Sequence, residues 1–222
     1  MRINWNVLKG VLLLGLVVFL YAFSSHKNNR RPVSKIAVQF TGSENVYITS
    51  EMVNKLLIQN QEELYNLPKD NLDLKEMERL LELDDMIKSA QVYLTVNGEV
   101  RTKVEQRRPI ARVQTGSVFY IDEDGLDMPL SPQHSARVPL VTGVVEKDQL
   151  EAVYRMALKI DTDSFLKTYV TEIHQNETGS ISLKMRVLDF EIIVGRLDRL
   201  DEKMKNLKAF YQKAKKDKML DI

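Results

Sequence analysis

Residues 90–106 read AQVYLTVNGEVRTKVEQ, and the register of this stretch decides the first folded unit. Ala90, Val92 and Leu94 share one face of a strand, and Val100, Thr102 and Val104 share one face of the next. A two-residue Asn97-Gly98 turn would set Val96 opposite Glu99 and send the two apolar sets to opposite faces. A three-residue loop, Val96-Asn97-Gly98, instead pairs Leu94 with Val100 and Ala90 with Val104. Gly98 then takes the left-handed position of a bulged turn, which glycine adopts without strain. That loop is the expectation.

Working back toward the N-terminus, Asp73 and Glu76 have capping-box spacing before a short helix with Leu74, Met77 and Leu81 on one side. Pro68 breaks the preceding connection. Before it, Thr49 or Ser50 can cap a helix whose face is Met52, Val53, Leu56 and Leu57. Ile36, Val38 and Phe40 alternate as a half-buried strand that Gly42 ends. The order is β-α-α-β-β, the arrangement of a POTRA domain.

Beyond the hairpin, Val118 to Ile121 reads as a short strand closed by Asp122-Glu123-Asp124-Gly125. That acidic run fails as an EF-hand, because position 6 is Asp127 rather than Gly and position 12 is Gln133 rather than Glu. It reads as a surface turn. Glu146 to Ile160 is an amphipathic helix with Leu150, Val153, Tyr154, Ala157 and Leu158 on one stripe. Strand-like runs follow at Tyr169–Gln175, Ile181–Val187 and Phe190–Val194, with a Thr178-Gly179 turn between the first two. A last helix starts near Asp198 and buries Leu200, Met204, Leu207, Tyr211 and Ala214.

The other strong signal is VLKGVLLLGLVVFLYAF, residues 7–23. It is expected to be a retained transmembrane helix, with Trp5 and Tyr21 at the interfaces and Lys9 snorkelling. A cleaved signal peptide is the competing reading, with Ala22-Phe23-Ser24 as a weak cleavage site. Charge does not orient the segment, since Arg2 and Lys9 oppose Lys27, Arg30, Arg31 and Lys35. SSHKNNRRP, residues 24–32, is a polar linker.

Chemistry is sparse. Lys and Arg number 32 against 31 Asp and Glu, so the basic excess of a nucleic-acid binder is missing. The chain has no Cys, which removes disulfides, thiolate catalysis and Cys-based metal sites. His26, His134 and His174 lack the spacing of a helical metal site, and no GxSxG elbow or phosphate-binding loop occurs. Neither an enzyme, nor a cofactor, nor a small-molecule substrate is expected.

VEQRRPIARV, VFYIDEDGLDMPLS and ARVPLVTG, which run from Val104 to Gly143, resemble the FtsQ/DivIB cell-division family, particularly its Bacteroidetes branch. The resemblance covers essentially the whole chain. It implies that Pro109 and Ala111 lie at a domain junction, that Tyr120-Ile121-Asp122 and Gly125 form the first hairpin of a β domain, and that Pro139-Leu140 and Gly143 lead into its helix. The expected fold is α+β: a single N-terminal transmembrane helix, a POTRA-like β-α-α-β-β domain, then a mainly antiparallel β domain with flanking helices. The expected divisions are a cytoplasmic tail (1–6), transmembrane helix (7–23), linker (24–32), POTRA-like domain (33–110) and β domain with C-terminal helix (111–222).

The resemblance further implies a non-enzymatic bitopic scaffold of the divisome in the inner membrane at the septum, with its C-terminal domains periplasmic. It would link early and late division proteins and control septal peptidoglycan synthesis. Its partners would be FtsB/DivIC-like and FtsL-like proteins and the peptidoglycan synthesis machinery. In the family a last strand docks the FtsB-like partner by strand addition; here the sequence closes on Met219-Leu220-Asp221-Ile222 after a lysine-rich helix end. The partner edge would then fall to Phe190, Glu191, Ile192, Ile193, Val194, Gly195 and Arg196, or be lost. The alternatives are a POTRA-bearing component of outer-membrane assembly or secretion, and an anchored periplasmic enzyme.

Overall fold

The computed structural model describes residues 5–29, 35–42, 45–59, 72–146, 150–186 and 190–217. The chain divides into two compact units, Met1–Asn45 with Thr49–Glu105, and Val46–Ile48 with Gln106–Ile222.

The first helix, α1 (Trp5–Asn29), corrects the transmembrane expectation for 7–23. Among the described residues, no helix is long and apolar enough to cross a membrane. Lys9 and Gly10 interrupt its start, and its backbone stays helical through the polar Ser24–Asn29. That leaves Val11–Phe23 as the apolar stretch, 13 residues. They span only about 20 Å as a helix, against a hydrocarbon core of about 30 Å.

In the first unit, β1 (Lys35–Thr41), α2 (Ser50–Gln59), α3 (Leu74–Glu82), β2 (Ile87–Leu94) and β3 (Glu99–Gln106) follow the expected order. The sheet runs β1-β3-β2, with β1 parallel to β3 and Ile36, Val38 and Phe40 opposite Val100, Thr102 and Val104. The hairpin has the three-residue loop. Thr95 N–H donates to the Glu99 carbonyl at 2.9 Å and Gly98 N–H to the Thr95 carbonyl at 3.0 Å, with Gly98 at φ 86°. With Thr95 opposite Glu99, Leu94 meets Val100 and Ala90 meets Val104.

Both helices of this unit start on side-chain caps. Thr49 Oγ1 accepts from Met52 N–H, and Asp73 Oδ1 accepts from Glu76 N–H at 3.0 Å. Glu76 does not close the box. Its carboxylate takes Arg79 instead, at 2.6 Å. Val53, Leu57, Met77 and Leu81 of the helices and Ile87, Val100 and Val104 of the sheet are buried. Each such side chain contributes about 1.5–3 kcal/mol of transfer free energy. Pro68 lies outside the described residues.

The second unit is a seven-stranded sheet in the order β10-β9-β8-β7-β4-β5-β6. Its strands are β4 (Pro109–Gln114), β5 (Val118–Asp122), β6 (Asp127–Met128), β7 (Leu140–Gly143), β8 (Val170–Gln175), β9 (Ile181–Met185) and β10 (Ile192–Gly195). β4·β7 and β7·β8 are parallel and the other neighbours antiparallel. The strands β4 and β7 add two interior members that the sequence reading left unassigned. Gly143, at φ 93°, ends β7 where a Cβ would come within 2.0 Å of the Gln175 carbonyl oxygen.

The helix α4 (Glu151–Thr162) starts five residues after Glu146 and packs on β4 and β8 through Val153, Met156, Ala157 and Ile160. A short helix, α5 (Ser164–Tyr169), follows because Asp163 caps it, accepting from Phe165 and Leu166 N–H. The last helix, α6 (Leu200–Lys216), begins after Arg199 rather than at Asp198. It buries Met204, Leu207, Tyr211 and Ala214. Val187 of the expected second strand run lies outside the described residues.

Candidate functional site

The site expected at Phe190–Arg196 falls on β10 and its flanks, and β10 is the terminal strand of its sheet among the described residues. Ile192 pairs with Leu183 and Ile193 with Ser182; a bulge then brings Gly195, at φ 74°, opposite Ile181. Val194 is buried beneath the sheet, whereas Ile193 is 80% exposed and Phe190 44% exposed. Glu191, just before the strand, accepts a hydrogen bond from the Ser182 hydroxyl. Arg196 follows the strand, and its side chain is exposed.

Helix α6 runs beside this edge without closing it. Between them lies a groove of about 450 Å³ lined by Phe190, Ile193, Met204, Leu207 and Phe210. The Phe190 and Phe210 rings meet edge to face with centroids 6.3 Å apart, and Phe210 is 51% exposed. Three large apolar side chains thus stay in water around one groove, an arrangement that marks an interaction surface more than a stable monomer surface. At the far end, Lys203 Nζ donates to the Val194 carbonyl at 3.2 Å and to the Arg196 carbonyl at 2.6 Å. An ammonium on the strand's acceptors blunts that part of the edge. The sequence reading found β10 by its alternation but missed Phe210 and Lys203. Their i, i+7 spacing on α6 places both along one helical face, the signal that could have found them.

The motif-rich run from Val104 to Gly143 is built for structure. Asp122, buried in the turn, accepts from Asp124 N–H at 3.0 Å and Leu126 N–H at 2.8 Å, and its other oxygen takes Arg107 at 3.1 Å. Arg108 forks between Glu123, at 2.9 Å, and Asp161, at 2.8 and 3.0 Å. Lys167 adds a third donor to Asp161 at 2.8 Å. Burial pushes the Asp161 carboxyl up, but the hydrogen bonds from Arg108 and Lys167 outweigh it and hold the group below the usual carboxylate range. The hydrogen bond to Asp161 likewise raises Arg108. Arginine, lysine and backbone amides thus engage these carboxylates.

The histidines are dispersed. His134 sits edge-on to Tyr47 with centroids 5.5 Å apart. His174 Nδ1 lies 2.9 Å from Thr142 Oγ1, which also donates to Glu172 at 2.8 Å, while Glu172 holds Lys184 across the β8–β9 ladder at 2.9 Å. This is a polar ladder across three strands. Among the described residues no group of His, Asp and Glu is placed to hold a metal ion. The His26 side chain lies outside them.

Two protein-family models match the chain. Residues 108–222 match the one described as FtsQ/DivIB, C-terminal related, and residues 33–105 match the POTRA-like domain. Comparison with curated proteins finds no match.

Proposed function

The chain belongs to the FtsQ/DivIB family, and on that premise we propose that it is a non-enzymatic scaffold whose β10 edge receives a partner strand. Membership makes it a cell-division protein, associated with the division septum and with partners in the division complex. The scaffold links early and late division proteins and controls septal peptidoglycan synthesis. Its direct partners are FtsB/DivIC-like and FtsL-like proteins, and through them the peptidoglycan synthesis machinery.

The observation that carries this reading is the juxtaposition of a terminal strand with an apolar groove. A strand with free backbone groups is a template for a further strand, and the side-chain pockets beside it supply selectivity. At β10 the template is Ile192–Gly195, and the pocket is the groove that Phe190, Ile193 and Phe210 leave exposed. An incoming strand that pairs with β10 places its alternate residues over Ile193 and into that groove.

Replacement of the chromosomal copy with an Ile193→Asp variant tests the reading. Ile193 is exposed, so the fold tolerates the change; a charge facing the groove should instead stop strand addition. The expected result is filamentous cells at a normal protein level and an unchanged melting midpoint. Normal septation with a stable Ile193→Asp protein would overturn it.

A further inference from the structure

The second unit also holds a cavity of about 240 Å³ that strand docking at β10 does not use. β4, β7 and β8 run parallel and begin at Pro109, Leu140 and Val170, while Met185 of antiparallel β9 lies opposite Val170. These strand ends therefore meet at one end of the sheet, and the cavity lies there. Its apolar wall is Ile110, Ile160 and Val170, all buried. Arg137, just before β7, and Arg186, just after β9, line it as exposed residues.

Charge around the cavity does not cancel. Asp161, near the end of α4, also lines it, and it takes Arg108 at 2.8 and 3.0 Å and Lys167 at 2.8 Å. Arg108 also reaches Glu123 at 2.9 Å, so in that cluster two cations offset two carboxylates. Arg137 and Arg186 stand outside it, and among the described residues neither pairs with a carboxylate. The carboxylate already at the cavity is thus neutralised, and two guanidinium groups beside an apolar wall remain uncompensated.

We propose that this cavity binds an acidic side chain of a partner protein, carried on a segment whose adjoining residue is apolar. The guanidinium fork matches a carboxylate with two parallel hydrogen bonds, and it is weakly hydrated enough to give up water for one. The apolar wall selects among anions. Inorganic phosphate has no apolar body to place on Ile110, Ile160 and Val170, whereas an acidic residue beside an apolar one uses both features of the cavity. Size selects the source of the carboxylate. Sites that enclose a small molecule run to about 300–1,000 Å³. The volume here is below that range and suits one or two residues of a chain passing across the opening. The site is separate from β10, so it neither requires strand addition there nor supports it.

Backbone amide NMR of the full chain tests this with three probes: the blocked peptide acetyl-Leu-Asp-Leu-amide, its Asn counterpart, and inorganic phosphate. The acidic peptide should give saturable shifts at the Ile110, Val170 and Thr171 amides. The Asn peptide and phosphate should each bind about tenfold more weakly or not at all, since each lacks one of the two features. Arg137→Ala/Arg186→Ala should weaken the acidic peptide by about tenfold or more. Both side chains are exposed, so this variant should keep the parent positions of the Phe119 and Tyr120 amides, which report on its fold. No saturable shift with the acidic peptide would overturn the site, as would undiminished binding to the folded double-alanine variant. Equal response to the Asn peptide would remove the carboxylate from the proposal, and equal response to phosphate would remove the peptide.

Discussion

Among the described residues, the β2 and β10 edges end their sheets in opposite ways. Along β2, a neighbouring helix supplies an acceptor to two successive outward amides, Glu82 to Ala90 and Glu78 to Val92, so the donors in the middle of the strand are occupied. Along β10, the neighbouring helix supplies one donor, Lys203, to the last two outward acceptors. It leaves Phe190, Ile193 and Phe210 exposed beside the rest. Both strands have a helix packed alongside, so proximity of a helix does not decide whether an edge is available. What decides it is whether the helix carries the right charge at a spacing that matches the strand repeat. α3 does, with carboxylates at i and i+4, and α6 does so at only one end.

The largest effect expected from this contrast is at Ile193. Ile193→Asp should lower affinity for an FtsB/DivIC-like partner about 100-fold, the scale of a central interface anchor. Tyr93→Asp on the guarded strand should leave it unchanged. Isothermal titration with a soluble partner fragment distinguishes the two, and equal losses would erase the contrast.

Next in size is the Gly98 turn, which sets the β2–β3 register. Gly98→Val forces a β-branched residue to φ 86°. It should destabilise the first unit by about 1–3 kcal/mol in denaturant melts while partner affinity at β10 stays the same. A loss of affinity in parallel with stability would tie binding to the first unit instead.

Lys203→Ala should act in the other direction and modestly. Freeing the Val194 and Arg196 carbonyls lengthens the pairable edge, so partner affinity should rise about threefold, the worth of one ordinary hydrogen bond. A fall would mean that the ammonium itself holds the partner.

The smallest effect concerns pH. Asp161 is held below its ordinary range, so it contributes stability above the unfolded carboxylate value of about 3.9 and loses it as pH falls through its lower folded value. Asp161→Asn should flatten the acid limb of the second unit's stability profile and leave the first unit's profile alone. An identical acid limb in wild type and variant would remove Asp161 from the account.

The parts of the fold legible in the sequence are those governed by local rules. Alternation located β1, β2, β3 and β10; the apolar stripe located α6; and facing of the two apolar sets selected the loop that puts Gly98 at positive φ. The interior strands escaped for a physical reason. β7 is four residues long, too short for alternation to register, and β4 opens on Pro109 and is buried along most of its length, so it shows no polar face. The membrane-spanning expectation failed because hydropathy was read across Lys9 and Gly10 rather than from Val11. Of the site, the strand was legible and the groove was not, since Phe190 and Phe210 are brought together only by packing of α6 beside β10. The Glu78 and Glu82 pair was invisible for the same reason: helix spacing matches strand spacing only after the helix has been laid on the sheet.

An amide-exchange footprint of the full chain, with and without a soluble FtsB/DivIC-like fragment, decides whether β10 is the docking strand. Strand addition at β10 predicts slowed exchange within Ile192–Gly195 and no change at Ala90 and Val92. Slowed exchange at β1 or β2, with Ile192–Gly195 unaffected, would contradict it.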